Sequence, residues 1–334
     1  MASVGVLEQR QLGSTGRRVS AIGFGARALA AAGRPSEFEA LRAVHAALDL
    51  GISWIDVADA YSLGEADFGY CEQLVRRAIA SWRGPRDTAL VIAKGGYKWF
   101  GNHLRMDCRP KRLHAACDAT LRALGTSSLF LYQLHGPDPR VYFPDSVGAL
   151  ADLQAAGKIQ HVGLCNVDLG HLEEANKIVR VATVQNSLNV CDRQSLANGV
   201  LAWCVRNHSA FIAHSPMGGS WGHGRIASHP VLLELARKYA ASPYEIALAW
   251  LLSLSPRILP IPGGSRLASV ESSVRAARRQ LAEEDLRYLQ RTFAPANFLV
   301  RQLVHLRRRV RHVTRNARLR TRWPALGIAP HSSR

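Results

Sequence analysis

Four ionisable side chains stand at or just after the ends of consecutive apolar runs in this sequence. Asp56 lies near the end of one run, and Tyr61 follows that run. Lys94 closes the next run before a glycine pair, and His135 closes the one after that. Carboxylate, phenol, ammonium and imidazole groups hold or transfer protons in enzymes, and a packed core does not tolerate them without partners. If the runs are neighbouring strands, the four groups meet at one edge of a sheet and form a candidate acid–base site.

The runs that carry these residues predict short strands alternating with helices. Eight such runs occur: VSAIGFG (19–25), ISWIDVA (52–58), ALVIAKG (89–95), LFLYQLH (129–135), IQHVGLC (159–165), ATVQNSL (182–188), AFIAHSP (210–216) and ILPIPG (258–263). Nearly continuous apolar strands are typical of a parallel sheet covered on both faces. Eight alternations in about 290 residues predict an α/β fold, the (β/α)8 TIM barrel, whose active groups lie at the carboxyl ends of the strands. The alternative is a doubly wound sheet, but no G-x-G-x-x-G opens a helix after an early strand.

Capping and turn residues predict where several elements begin and end. Ser242, followed by Pro243 and Glu245, is typical of a helix start. Gly125 follows a helical stretch that begins after Asp107, at a position typical of a left-handed helix end. At the N-terminus, the segment VLEQRQLGSTGRRVS predicts a β-hairpin that closes the bottom of the barrel.

The composition is that of a globular chain. Hydrophobic residues make up 47% of the sequence, charged residues make up 20%, and the formal net charge is +18. The longest apolar run, 246–252, is far shorter than the roughly 18 residues that span a bilayer. The first residues, MASVGVLEQR, lack the basic start and apolar stretch of a secretory signal. We therefore expect no membrane helix and a cytoplasmic location.

The six cysteines predict neither a disulfide framework nor a metal site. They stand at positions 71, 108, 117, 165, 191 and 204. No two of them have C-x-x-C spacing, and no histidine stands at a zinc-finger interval from them. We therefore expect the chemistry of this protein to need no bound metal.

The basic charge is concentrated at the C-terminus. Residues 295–334 contain ten arginines and no acidic residue, and so carry +10 of the net charge. We therefore divide the chain into a barrel domain, 1–294, and an Arg-rich C-terminal helical extension, 295–334. The spacing of Leu299, Leu303, Leu306, Val310 and Val313 predicts a helix with one apolar seam.

Several roles are open for this extension. It could dock on the barrel, form a dimer contact, bind an anionic membrane surface or nucleic acid, or cover a phosphorylated substrate. Neither interleaved aromatic residues nor a known motif supports nucleic-acid binding. Docking on the barrel is the interpretation that needs no partner.

Seven motifs, taken in order, make the chain resemble the aldo-keto reductases. They are LGSTGRRVSAIGFG, GISWIDVADAY, IAKGG, LYQLHGPDP, LQAAGKIQHVGLCNV, VQNSLNV and IPGG. Any one of them is weak evidence, but their order and spacing together are specific. The resemblance runs from about Arg10 to Leu289 and implies a (β/α)8 barrel without a Rossmann domain. It also implies NADPH bound in an extended conformation and reversible hydride transfer to an aldehyde or ketone.

The resemblance assigns the family's catalytic roles to the four ionisable residues. Tyr61 matches the general acid, and Lys94 matches the cation that favours its phenolate form. Asp56 matches the partner that keeps this lysine charged, and His135 matches the group that orients the carbonyl. Taken singly, each of these residues is more often a core or rim residue. At the ends of consecutive strands and in family-like motifs, they favour catalysis together.

The nicotinamide end of the family's cofactor site is matched with two departures. Asn166 and Gln185 match the residues that hold the carboxamide. Cys165 replaces the usual serine, and a thiol is a weaker hydrogen-bond donor. His214 stands where the family places an aromatic ring against the nicotinamide. Imidazole can also stack there, but its titration near pH 6.5 would place a pH-dependent charge beside the cofactor.

The phosphate end is matched by a glycine-containing loop and one arginine. Arg266, helped by Ser265 and Ser269, is the candidate for the 2'-phosphate, because guanidinium can pair with two phosphate oxygens; NADPH is therefore favoured over NADH. Ser272 and Ser273 replace the family's Glu-Asn pair near the adenine. The other cofactor-binding candidates are Gly25, Ala26, Ser215, Met217, Gly218, Gly219 and Gly263.

Loops and aromatic side chains are the candidates for substrate selection. The aromatic candidates are Trp54, Tyr97, Trp99, Phe100, Tyr142, Phe143 and Trp221. The main alternative to an enzyme is a non-catalytic nucleotide-binding regulatory subunit, similar to the potassium-channel β subunits. A second alternative is an enzyme in which Lys94 forms a Schiff base with a carbonyl substrate.

Overall fold

A computed structural model describes residues 7–101 and 103–294, with only the backbone described at positions 220 and 221. Eight parallel strands form one sheet in the order expected for a barrel. Two antiparallel hairpins lie outside this sheet. The Arg-rich extension, 295–334, lies outside the described residues, so the helix and the contacts expected of it stay predictions.

The barrel strands agree with the eight apolar runs, with shorter bounds for several. They are β3 (Phe24–Gly25), β4 (Trp54–Asp56), β5 (Leu90–Gly95), β8 (Leu129–Leu134), β9 (Ile159–Cys165), β10 (Val181–Ser187), β11 (Ala210–His214) and β12 (Ile258–Pro260). The first and last strands meet, because the backbone N–H of Gly23 donates to Pro260 O at 2.9 Å and that of Gly25 donates to Pro262 O at 3.0 Å. The predicted (β/α)8 barrel is confirmed.

The N-terminal hairpin also lies where the sequence predicts it. Its strands, β1 (Gln9–Gln11) and β2 (Arg18–Ser20), pair antiparallel. Leu12 and Val19 are buried in a core cluster with barrel residues such as Trp54 at the amino end of β4. The run 19–25 therefore contains parts of two strands rather than one, because residues 21–23 leave the hairpin before β3 begins.

A second hairpin was not predicted. Its strands, β6 (Tyr97–Phe100) and β7 (His103–Met106), follow β5 at the carboxyl end of the barrel. Their residues are half-buried or exposed, so they lack the continuous apolar character that marks the barrel strands. The hairpin stands beside the cleft that contains the ionisable residues, with Tyr97 in contact with His135.

Twelve α-helices lie in the described part of the chain. They are α1 (Glu37–Asp49), α2 (Tyr70–Ser81), α3 (Pro110–Leu124), α4 (Phe143–Ala155), α5 (Leu169–Ala175), α6 (Gln194–Ala197), α7 (Val200–Arg206), α8 (Gly219–Ser228), α9 (Pro230–Lys238), α10 (Pro243–Ser253), α11 (Leu267–Arg278) and α12 (Glu283–Thr292). Among these residues, no helix is both long and apolar enough to cross a membrane.

The predicted helix ends are observed, with one difference. Gly125 adopts a left-handed φ of 67° directly after α3, as its position predicts. The Ser242 hydroxyl accepts the backbone N–H of Glu245 at 3.2 Å and caps α10. The Glu245 carboxylate does not return to the helix start as in a full capping box. It is buried instead and accepts hydrogen bonds from Ser272 at 2.9 Å and from Arg275 at 3.0 Å.

Candidate active site

Asp56 and Lys94 form a buried ion pair at the carboxyl end of the barrel. Asp56 is the last residue of β4, and Lys94 lies near the end of β5, so neighbouring parallel strands bring them together. Lys94 Nζ donates to Asp56 Oδ1 and, at 3.0 Å, to Val57 O. Burial alone lowers the pKa of Lys94, but the Asp56 carboxylate and the Tyr61 hydroxyl outweigh it and raise the pKa. The lysine is therefore a fixed cation.

Tyr61 lies against this cation. Lys94 Nζ is 5.0 Å from the centroid of the Tyr61 ring. Burial raises the pKa of Tyr61 to about 12, whereas the lysine charge lowers it by less. The lysine charge thus acts in the direction expected, toward the phenolate. Burial acts more strongly in the opposite direction, because removing the phenol from water costs the anion more than one paired cation returns.

His135 stands directly after β8 and contacts Tyr61 edge to face, with 5.7 Å between ring centroids. Burial first, and then the positive charge of Lys94, hold the pKa of His135 well below its usual value. The imidazole is therefore neutral near pH 7. Its Nδ1 is buried and has no hydrogen-bond partner in the described part of the chain.

Three further polar side chains hold Asp56 inside the barrel. Gln185 Nε2 donates to Asp56 Oδ2 at 2.7 Å, and Gln133 Nε2 donates to the same oxygen at 3.5 Å. Thr183 in turn donates to Gln133 Oε1 at 3.3 Å. Gln185 was predicted only as a cofactor contact. Gln133 and Thr183 were missed, although each is a polar residue inside an apolar strand run, which is the signal that could have found them.

Asn166 links two strand ends through its amide group. Its Nδ2 donates to His135 O at 2.9 Å, and its Oδ1 lies 3.0 Å from His214 Nε2. His214 Nδ1 lies 3.1 Å from Ser215 Oγ, so both ring nitrogens have a partner. Burial, with the charge of Lys94, lowers the pKa of His214 to about 4. The expected pH-dependent charge near pH 6.5 is therefore wrong, because the buried ring stays neutral.

One cavity of about 1300 Å³ runs over these groups. Most of the predicted site residues line it: Gly25, Asp56, Tyr61, His135, Asn166, Gln185, His214, Ser215, Met217, Gly218, Gly219, Gly263, Arg266 and Ser269. Lys94 lies behind this wall with no exposed surface. Ala26 is buried beneath the wall, and Ser265 does not reach it, so these two cofactor candidates are not brought to the cavity.

Several lining residues were missed. Arg27, Asp192 and Arg225 are charged, and His223 stacks on Tyr244 with 4.3 Å between ring centroids. Arg27 directly follows the predicted Gly25 and Ala26, so its position in the sequence was a usable signal. The others stand on segments that only the fold brings to the cavity.

The cavity has the donors that a dinucleotide with an extra phosphate requires. α8 and α11 both begin at its wall, and neither has a side chain that caps its first turn. Such helix starts offer free N–H groups to phosphate oxygens, and Arg225 and Arg266 add two guanidinium groups. The loop before α8 is tight, because a Cβ on Gly218 would lie 2.3 Å from Gly222 C. Amide groups of Asn166 and Gln185 line another part of the same cavity.

The aromatic candidates for substrate selection separate into groups. The prediction that Trp54 and Phe143 select substrate is wrong, because both side chains are buried in the core. The Trp54 indole N–H donates to Ser20 O, and Phe143 packs on His171. Tyr97 contacts His135 edge to face at 4.9 Å. Half-buried Trp99 and exposed Phe100 lie on the β6–β7 hairpin, and Tyr142 is half-buried at the start of α4. The side chain of Trp221 lies outside the described residues.

Comparisons with known proteins agree with this geometry. The model of the aldo/keto reductase family matches residues 21–293. An uncharacterized oxidoreductase of Schizosaccharomyces pombe is 33% identical over 80% of this chain and 84% of its own length. Pyridoxine 4-dehydrogenase of Escherichia coli is 29% identical over 81% of this chain and 93% of its own. The crystal structure of an aldo/keto reductase from Klebsiella pneumoniae in complex with NADP and acetate has a TM-score of 0.72 and 25% identity, and it covers 87% of this chain and 97% of that one.

A closed barrel with a buried Asp–Lys pair beneath a dinucleotide-sized cavity defines a class of nicotinamide-dependent oxidoreductases. The chain belongs to the aldo/keto reductase family and is an NAD(P)H-dependent oxidoreductase.

Proposed function

We propose that this protein catalyses the reversible, NADPH-dependent reduction of an aldehyde or ketone to an alcohol, with Tyr61 as general acid. The observation that carries the proposal is the contact of Tyr61 with the buried Asp56–Lys94 pair at the base of the cavity. A phenol held beside a fixed cation is suited to donate a proton to an oxygen that gains negative charge.

Each of the four residues has a defined task in this proposal. When bound, the nicotinamide supplies or accepts the hydride. Tyr61 donates its proton to the carbonyl oxygen, and the Lys94 ammonium stabilises the phenolate that remains. Asp56, held by two glutamine amides, keeps the ammonium charged and in place. Neutral His135 donates a ring N–H to the same carbonyl oxygen and orients it.

The residues that would hold NADPH are distributed along the cavity. Asn166 and Gln185 would hold the carboxamide, and His214 would stack on the nicotinamide ring. The N-termini of α8 and α11 would hold phosphates, with Arg266 on the 2'-phosphate. Gly25 and Gly263, whose backbones meet in a bridge between the first and last strands, leave the cavity wall free of side chains there.

Substitution of the general acid tests the proposal. Loss of NADPH absorbance with a panel of aldehydes and ketones measures turnover, and fluorescence titration measures NADPH binding. Tyr61→Phe removes only the hydroxyl, so we expect kcat/KM to fall by about 10²–10⁴-fold while NADPH still binds. Tyr288→Phe is the matched control, since this phenol lies on α12 and contacts Glu234, away from the cavity. Equal activity of Tyr61→Phe and the parent protein would overturn the assignment.

Both alternatives receive less support. The matched relatives named for an activity are oxidoreductases, which does not favour a non-catalytic regulatory subunit. A Schiff base requires an uncharged, accessible amine, but Lys94 is fully buried and paired with Asp56. Trapping with borohydride and substrate would detect such an intermediate, and we expect none.

A further inference from the structure

Arg27 carries a charge at the cavity wall that the proposed chemistry does not use. It lies in the short helical turn Ala26–Leu29, directly after β3. Gly25 is in register with Asp56 across β3 and β4, so the turn lies beside the segment that leads from Asp56 to Tyr61. Arg27, Tyr61 and His135 line the same cavity.

The guanidinium group of Arg27 has no ion-pair or hydrogen-bond partner among residues 7–101 and 103–294. Arg34, a few residues further on, is neutralised by Asp67, with 2.5 Å between the charged atoms. Arg27 is exposed, yet its charge reaches the catalytic end of the cavity, where it helps lower the pKa of His135 after burial, Lys94 and His214. An unpaired cation therefore lines the same cavity as the group expected to orient the carbonyl.

The acidic residues of the wall do not balance this charge. Asp56 and Asp192 are the two acids that line the cavity. Asp56 is already paired with Lys94, and Asp192 Oδ1 accepts the backbone N–H of Gln194 on the segment after β10. Arg225 and Arg266 stand at the uncapped starts of α8 and α11, where cofactor phosphates would lie. Arg27 lies on a different segment, the turn after the first strand, which pairs with the strand that leads to Arg266.

We infer that the substrate is a carbonyl compound that also carries a carboxylate, and that Arg27 binds this carboxylate while His135 and Tyr61 face the carbonyl. The inference rests on the proposed function and adds a substrate class to it. A guanidinium group suits a carboxylate because it offers two parallel N–H donors. A neutral aldehyde would leave this cation without a partner, so we expect acids to be preferred over their esters.

Matched acid and ester substrates test the inference. The pairs are 4-carboxybenzaldehyde with its methyl ester and succinic semialdehyde with its methyl ester, each with saturating NADPH. We expect the parent protein to favour each acid by about tenfold or more in kcat/KM. Arg27→Met should reduce the acid-to-ester ratio to about one, and Arg27→Lys should retain part of it. Arg83→Met is the matched control, because Arg83 is exposed in the loop between α2 and β5, at the opposite end of the barrel.

A binding measurement separates this inference from the proposed function. Calorimetric titration with benzoate, which cannot be reduced by hydride transfer here, reports the anion site without turnover. Weaker benzoate binding to Arg27→Met than to Arg83→Met supports the anion site, even if no aldehyde is reduced and the proposed function fails. Turnover of aldehydes with equal rates for acids and esters would overturn the inference and leave the function standing. A rise in the Kd for NADPH in Arg27→Met, with an unchanged acid-to-ester ratio, would assign Arg27 to the cofactor and also overturn it.

Discussion

At the scale of single residues, burial decides the protonation states of the site. Tyr61, with a pKa raised to about 12, keeps its proton near neutrality, which is what a general acid for carbonyl reduction needs. His135 and His214 both have lowered pKa values and stay neutral. Lys94, in contrast, keeps its charge, because the Asp56 carboxylate lies against it. The site thus holds one fixed cation among neutral donors.

Arg266 determines the preference for NADPH in our proposal. Arg266→Gln removes a guanidinium group that would pair with the 2'-phosphate, a contact worth roughly 1.5–3 kcal/mol. We expect the Kd for NADPH to rise by about tenfold or more, while the Kd for NADH, which lacks this phosphate, changes little. Quenching of protein fluorescence measures both values.

Arg278→Gln provides the control for this measurement. Arg278 is exposed in the last turn of α11, the same helix that Arg266 precedes, and does not line the cavity. If Arg266→Gln weakened NADH and NADPH equally, its role would be general and the 2'-phosphate assignment would be wrong.

At the scale of elements, the N-terminal hairpin closes the bottom of the barrel through one glycine. Gly13 has a φ of +59°, and a Cβ there would lie 1.9 Å from Ala182 O at the start of β10. Gly13→Ala therefore adds a backbone clash to an unfavourable conformation, and we expect it to lower the free energy of unfolding by about 2–4 kcal/mol. Urea denaturation measures the change.

Gly16 in the same hairpin separates the two causes. Its φ is +77°, but a Cβ there would meet nothing within 4 Å. Gly16→Ala should therefore cost only the backbone term, about 1–2 kcal/mol. Equal losses for the two variants would show that the contact of Gly13 with the barrel contributes nothing.

The contact between α2 and α3 contains a buried acid that should make stability depend on pH. Glu72 accepts a hydrogen bond from Thr120 at 2.8 Å, and Asp59 lies nearby with no hydrogen-bond partner for its carboxylate oxygens among the described side chains. Burial raises the pKa of Glu72 to about 7. The unfolded chain releases this proton near pH 4.5, whereas the folded chain holds it up to about pH 7. The free energy of unfolding therefore falls as pH rises through this window.

Glu72→Gln keeps the size and the acceptor of the side chain but cannot ionise. The parent protein loses stability between pH 5 and pH 8, and this variant should not. We therefore expect the free energy of unfolding of the variant, relative to that of the parent, to be roughly 1–3 kcal/mol higher at pH 8 than at pH 5. Glu65→Gln, at an exposed position, should show no such pH-dependent gain. Thermal or urea denaturation at the two pH values gives the comparison, and a gain that is the same at both would contradict a buried titrating carboxyl.

At the scale of the whole molecule, the cavity crosses elements from both halves of the barrel. Gly25 and Arg27 follow the first strand, whereas Arg266 and Ser269 follow the last. A ligand in this cavity therefore contacts the two strands whose pairing closes the barrel, so its binding energy opposes unfolding of the entire barrel.

NADPH at a hundredfold excess over its Kd should raise the free energy of unfolding by about 2.7 kcal/mol. A thermal denaturation series over NADPH concentration measures this as a rise in Tm. At one fixed concentration, Arg266→Gln should show a smaller rise than Arg278→Gln. A Tm that does not respond to NADPH at concentrations that saturate the fluorescence titration would mean that the cofactor binds outside the cooperative barrel.

The sequence was sufficient for features that depend on local pattern. The apolar runs predict the barrel strands. Gly125 predicts the end of α3, and Ser242 predicts the start of α10. These features can be read from the sequence because burial on both faces and capping act over a few residues. The β6–β7 hairpin was not predicted, since its residues face solvent or a cleft and carry no continuous apolar run.

The sequence by itself determined the class of fold and the four ionisable residues at the strand ends, since parallel strands bring their carboxyl ends to one rim. Tertiary structure alone decided that Gln133 and Thr183 support Asp56, that Trp54 and Phe143 belong to the core, and that Arg27 faces the cavity. The physical reason is that hydrogen bonding, desolvation and charge pairing depend on distances between strands far apart in the chain.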